Sequence, residues 1–163
     1  LKKTAPLIRL YAYGMTVTSD GGRPMLLLKD ETGELTLTVP MSPLQAGVTI
    51  TQSSKTAAPA SPHRVTELLL KSMQLQISRC VFKDQEESRQ WIELELRNHP
   101  FGQTHLRVRA EDGLSLCLHL EVPIYATRAF ILAARTYIPE APAPGREMIV
   151  NAKILDRPHP YVM

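Results

Sequence analysis

The chain has 163 residues, 44% of them apolar, enough for one domain with a single core and few spare for a second. Lys and Arg number 19 against 16 Asp and Glu, and the net charge of +3 falls well short of a nucleic-acid tail. Apolar residues along the whole length exclude a disordered polyelectrolyte, and no apolar run approaches the roughly 20 residues that cross a bilayer.

Leu7 to Val17 is aliphatic, aromatic and β-branched and stops at Ser19-Asp20-Gly21-Gly22, so a strand is expected. Met25–Lys29 and Leu35–Val39 flank Asp30-Glu31-Thr32-Gly33, and Leu35, Leu37 and Val39 alternate with Thr36 and Thr38, which predicts a hairpin. Pro40 and Pro43 end it. A helix over Leu44–Ile50 would contain the weak formers Gly47, Val48 and Thr49, and Thr51–Ser61, small, polar and proline-bearing, reads as a loop.

Ser61-Pro62 predicts a helix start, with Ser61 as cap, and Val65, Leu68, Leu69 and Met73 follow at helical spacing as one apolar stripe. Leu75–Phe82 and Gln90–Arg97 read as strands joined by the solvated loop Lys83–Ser88. In the second strand Ile92, Leu94 and Leu96 share a face opposite Trp91, Glu93, Glu95 and Arg97. Beyond the turn at 98–102, Thr104, Leu106 and Val108 alternate with His105, Arg107 and Arg109. Antiparallel pairing sets these acids opposite bases, either as an exposed ion-pair ladder or as a cationic strip for phosphates.

Leu114, Leu116, Leu118 and Leu120 fit a strand with one leucine face. A helix starting at Glu111-Asp112 fits equally well, and periodicity does not decide between them. Pro123-Ile124-Tyr125 is extended, and Thr127–Tyr137 is helical with Thr127 as cap and Phe130, Ala133, Ala134 and Tyr137 inward. The prolines after Ile138 predict an extended tail, with Met148–Leu155 as an added edge strand.

Cys80 and Cys117 lack metal-ligand spacing, so two buried thiols are expected. His63, His99, His105, His119 and His159 are scattered and form no His-x-x-x-His and no Ser/His/Asp order that a sequence can certify, so surface or structural roles are expected. No glycine-rich phosphate loop is present, which disfavours a nucleotide-triphosphate or dinucleotide enzyme. A base-stacking platform would need Tyr11, Tyr13 or Trp91, which strand packing explains equally well. The first residue is Leu, as in a trimmed or mature chain.

Two segments carry a resemblance. Arg23-Pro24-Met25-Leu26-Leu27-Leu28-Lys29-Asp30-Glu31-Thr32-Gly33-Glu34 resembles the opening signature of the bifunctional nuclease domain family. The run from Val108 to Tyr125 resembles its second signature, with Arg109, Asp112, Pro123, Ile124 and Tyr125 in register. The chain departs from the family where Arg-Pro-Ser-Asp becomes Arg109-Ala110-Glu111-Asp112 and where Trp-Ile-Gly becomes Pro40-Met41-Ser42. Glu-Ala likewise becomes Gln45-Ala46, and Thr-His-Asp becomes approximately Val65-Thr66-Glu67.

The resemblance implies a single α+β domain over residues 1–138, a mainly antiparallel sheet with packed helices, followed by a Pro-rich extension over 139–163. It tips 112–120 toward helix. It implies a bacterial, cytoplasmic homo-oligomer that hydrolyses DNA and RNA phosphodiester bonds with Mg2+ or Mn2+. Asp112, Glu111 and Glu67 would be catalytic, Asp112 and Glu111 would hold the metal, and Arg109, Arg107 and Arg23 would bind substrate phosphate. The alternative is a non-catalytic oligomeric module that binds a protein or small ligand around Leu44–Pro62, with Arg109 and Asp112 only fixing a strand-to-helix corner.

Overall fold

In chain order the elements are β1 (Leu7–Val17), β2 (Pro24–Lys29), β3 (Thr36–Pro40), α1 (Pro43–Gln52), α2 (Arg64–Ser72), β4 (Gln76–Glu86), β5 (Arg89–Arg97), β6 (His105–Arg109), α3 (Ala110–His119), β7 (Ile124–Thr127) and α4 (Arg128–Tyr137). They come from a computed structural model, which describes residues 5–17, 22–52, 61–100, 102 and 104–137. One seven-stranded sheet runs β3-β2-β1-β7-β4-β5-β6. Every neighbouring pair is antiparallel except β4 with β7, and the architecture is α+β.

The β2–β3 hairpin turns on Asp30, whose carboxylate accepts from the Leu35 amide at 2.9 Å and the Thr32 hydroxyl at 2.6 Å. Burial pushes this carboxyl up, but those bonds outweigh it and leave its pKa lowered. Gly33 takes φ +75, the left-handed conformation the turn requires of it. The sheet curls strongly. Gln90 Nε2, at the start of β5, donates to the Thr38 carbonyl on β3 at 3.1 Å although four strands lie between them in the sheet.

The core gathers Leu26, Leu28, Leu37, Phe82, Ile92, Leu114 and Ile131. Helix α3 lies on β5 and β6, α1 packs against α3 and β2, and α4 covers β3, β4 and β7. Gly113 sets the depth of α3, since a Cβ there would stand 2.8 Å from Ile92 Cδ1 and 2.9 Å from Val108 Cγ2. Both α2 and α3 end in a Schellman motif, with Leu75 N–H on the Leu70 carbonyl and Val122 N–H on that of Cys117, each at 2.9 Å. The left-handed positions are held by Gln74 and Glu121, both at φ 57.

Several sequence expectations are corrected. Thr51 and Gln52 belong to α1, and 53–60 lie outside the described residues. Strand β4 runs through Lys83–Glu86, because pairing with β5 continues to the two-residue turn Glu87-Ser88. Helix α2 starts at Arg64 with His63 as N-cap, and Ser61 instead accepts the His63 amide in a preceding turn. Its apolar stripe faces out: Val65, Leu68, Leu69 and Met73 are 50–65% exposed. Leu106 is exposed, since β6 is the sheet edge. On α4, Thr127 caps the Phe130 amide as expected, but Ala133 is exposed and Ile131 takes the inward place. The expected edge strand at 148–155 and the 139–163 extension lie outside the described residues.

Candidate functional site

Two polar clusters are built on α3. Its leucines alternate as they would in a strand, yet Ala110, Gly113, Leu114, Ser115 and Cys117 are the residues it buries, a helical set. That winding leaves Glu111, Ser115 and His119, four residues apart, along one side.

The first cluster lies at the corner where β6 passes into α3. Arg109, the N-cap, is extended at φ −67, ψ 142, and its side chain caps nothing. Its Nε instead donates to Asp112 Oδ2 at 2.9 Å, with Nη1 3.7 Å from Glu111 Oε1. Arg23, leading into β2, donates through Nη2 to Glu111 Oε2 and through Nε to the Met41 carbonyl at 3.3 Å. Glu111 thus bridges two guanidiniums from distant strands. Beside them a small cleft is lined in part by Arg23, Pro40, Arg89, Gln90, Arg109 and Glu111, so three arginines border it. The curl of the sheet brings Arg89 and Gln90 of β5 to the same place.

Of the sequence candidates, Asp112, Glu111, Arg109 and Arg23 therefore come together, and Glu67 and Arg107 do not join them. Arg107 stacks on Trp91 at 4.4 Å and pairs with Glu86 at 2.9 Å and Asp84 at 3.5 Å. Around it Glu93 meets Lys83 and His105, each at 3.2 Å, and Arg79 pairs with Glu95. The wet sheet face is an ion-pair ladder.

Glu67 belongs to the second cluster, which sequence reasoning missed. Its Oε1 accepts from Lys71 at 2.6 Å, and its Oε2 accepts from Arg64 at 3.0 Å and from His119 Nε2 at 2.9 Å. The Lys71 bond first, then the His119 bond, lower its pKa to about 2. His119 Nδ1 stands 3.3 Å from Ser61 Oγ. Alongside, Ser115 donates to Gln45 Oε1 at 2.7 Å and lies 2.6 Å from His63 Nε2. Ser115 has one hydrogen to give, so it accepts from His63, whose proton is on Nε2. Burial first, and then the nearby His119 ring at 5.9 Å, lower the His63 pKa. The one available signal was the i, i+4 spacing of Ser115 and His119, which acquires meaning only once this segment is a helix.

Among the described residues no group of three or more His, Cys, Asp and Glu is placed to hold a metal ion. Glu111 lines the cleft, and Asp112 is bonded to Arg109, which also lines it. Two carboxylates suit a magnesium ion that takes its other ligands from water and substrate phosphate. No family model matches the chain, and no curated protein matches it.

Proposed function

We propose that this protein is a nuclease-like domain that binds the phosphodiester backbone of DNA or RNA in the cleft at the β6–α3 corner. The observation that carries this reading is the convergence of guanidiniums: Arg23, Arg89 and Arg109 line one cleft, and the two acids paired with them, Glu111 and Asp112, leave one positive charge over. Guanidiniums bind phosphate oxygens through paired N–H donors, and the α3 N-terminus adds its partial positive charge. Arg23 and Arg109 present their donors from fixed positions because Glu111 and Asp112 hold them. A divalent cation on Glu111 and Asp112 would supply the activated water and charge stabilisation that phosphodiester cleavage needs.

The test is cleavage of single- and double-stranded DNA and RNA with Mg2+ or Mn2+, alongside binding at several salt concentrations. Asp112→Ala should abolish cleavage and, because Asp112 holds Arg109, weaken binding less than Arg109→Ala does. Arg109→Ala should weaken binding across sequences and reduce the salt slope by about 1. An absence of cleavage with either metal, together with Arg109→Ala binding as the wild type does, would discard the reading.

The outward stripe of α2 favours a second reading, a homodimer formed by docking this face on a second copy. Val65, Leu68, Leu69 and Met73 are each at least half exposed on one side of a short helix. A two-fold axis would set this face against its own copy and take all four side chains out of water. Light scattering should give twice the chain mass, and Leu68→Asp should return it to one. A monomer at high concentration would remove this reading and leave the first intact.

A further inference from the structure

The second cluster has the order of parts that activates a serine. A carboxylate only accepts, so the 2.9 Å contact to Glu67 puts the His119 proton on Nε2. In the neutral ring Nδ1 is then an acceptor, and it faces Ser61 Oγ at 3.3 Å. Ser61 is itself fixed: its Oγ accepts the His63 amide at 3.2 Å and its carbonyl accepts the Arg64 amide at 3.0 Å. Glu67 and His119 are 15% and 16% exposed, and Ser61 is half-buried, so the array is shielded yet reachable. The first turn of α2 follows at once; its Arg64 amide is taken by the Ser61 carbonyl, and the His63 side chain caps none of the others. Such amides are the donors that a developing oxyanion needs.

We infer that Ser61, His119 and Glu67 act as nucleophile, general base and orienting carboxylate in the hydrolysis of small uncharged carboxylic esters. Ser61 Oγ bonds to the ester carbonyl carbon as its proton passes to His119 Nδ1. The carbon–oxygen bond to the leaving alcohol then breaks, and the alkoxide takes that proton. Water attacks the acyl-Ser61 ester in the same way, releasing the acid and returning the proton to Ser61. An uncharged ester is specified because Arg64 and Lys71 both direct their charged ends to the Glu67 carboxylate, so neither is committed to a charged group on the substrate. The inference is independent of the phosphodiester reading, since the cleft and this array share no residue.

The experiment treats the full chain with an alkyl fluorophosphonate, followed by intact mass and peptide mapping, and measures turnover of p-nitrophenyl butyrate. One adduct on Ser61 is expected, none in Ser61→Ala, and an adduct rate lower by about 100-fold or more in His119→Gln. Glu67→Gln should move the pH profile of turnover, which a purely structural carboxylate would not. A wild-type chain unlabelled at Ser61, or ester turnover equal in wild type and Ser61→Ala, overturns the inference. Ser61→Ala removes one oxygen from a surface turn, so the comparison stands even if His119→Gln unfolds.

Discussion

Gly113→Ala tests how tightly α3 is seated on the sheet. The new methyl carbon would meet Ile92 Cδ1 at 2.8 Å and Val108 Cγ2 at 2.9 Å, closer than carbon atoms approach, and Ile92 is fully buried. Glycine inside a helix costs about 1 kcal/mol relative to alanine, so propensity alone makes the variant more stable. Overpacking a dense core costs about 1–3 kcal/mol. The two contacts come from different strands, so no single small rotation relieves both, and the overpacking side wins. We expect a net loss of about 1 kcal/mol, or roughly 2–4 °C in Tm for a domain of this size. Ile92→Val deletes the nearer contact atom. In a double-mutant cycle by urea unfolding, Gly113→Ala should therefore cost less in the presence of Ile92→Val than alone, with a coupling of about 1 kcal/mol. Gly113→Ala matching or exceeding the wild type in stability would refute the steric argument.

The two Schellman ends should respond in the opposite direction. Glu121→Gly removes a side chain from φ 57 and should stabilise the fold by about 1 kcal/mol in chemical denaturation, because glycine adopts that conformation freely. For acid stability the sign follows from His63, whose pKa in the fold lies below its ordinary 6.5, from burial first and then His119. The unfolded chain takes the proton first, so Tm should hold at neutral pH and decline as pH falls through 6.5, and His63→Gln should flatten that limb. Glu67, near 2 in the fold against an ordinary 4.5, adds a second loss between those values. Cys80 and Cys117 should resist thiol reagents until unfolding, since both are buried and the bond to Cys117, with burial, holds Cys80 well above the usual thiol range.

What could be read in the sequence follows from which forces act within a short window. Strands β3 and β5 follow from period-2 alternation, β1 from its β-branched, aromatic and aliphatic composition, and the β2–β3 hairpin from the Asp30–Gly33 turn, all local signals. The second half of β4 was missed because Lys83–Glu86 carries no apolar pattern, and its strand character is imposed by pairing with β5. For α2 the stripe Val65, Leu68, Leu69, Met73 announces a helix but not which side meets the protein. Contact runs instead through Leu70, half-buried against the core, and through Glu67 on His119. At the candidate site, Arg109 and Asp112 are three apart and pair locally, whereas Arg23 and Arg89 arrive through the curl of the sheet, which no window of sequence contains.

The side of α3 that carries Glu111, Ser115 and His119 makes the two clusters mechanically dependent on one seating. Ala110, Gly113, Leu114 and Cys117 fix that helix on β5 and β6, so displacing it moves the guanidinium bridge at one end and the His119 array at the other. Gly113→Ala should therefore lower both oligonucleotide affinity and fluorophosphonate labelling of Ser61, even where circular dichroism shows the chain folded. Leu68→Asp, on the outward side of α2, should alter neither, because its side chain meets solvent. Measured on the same preparations, a Gly113→Ala protein that loses stability but keeps both rates would show that the clusters tolerate movement of α3. The close approach at Gly113 would then matter to folding alone.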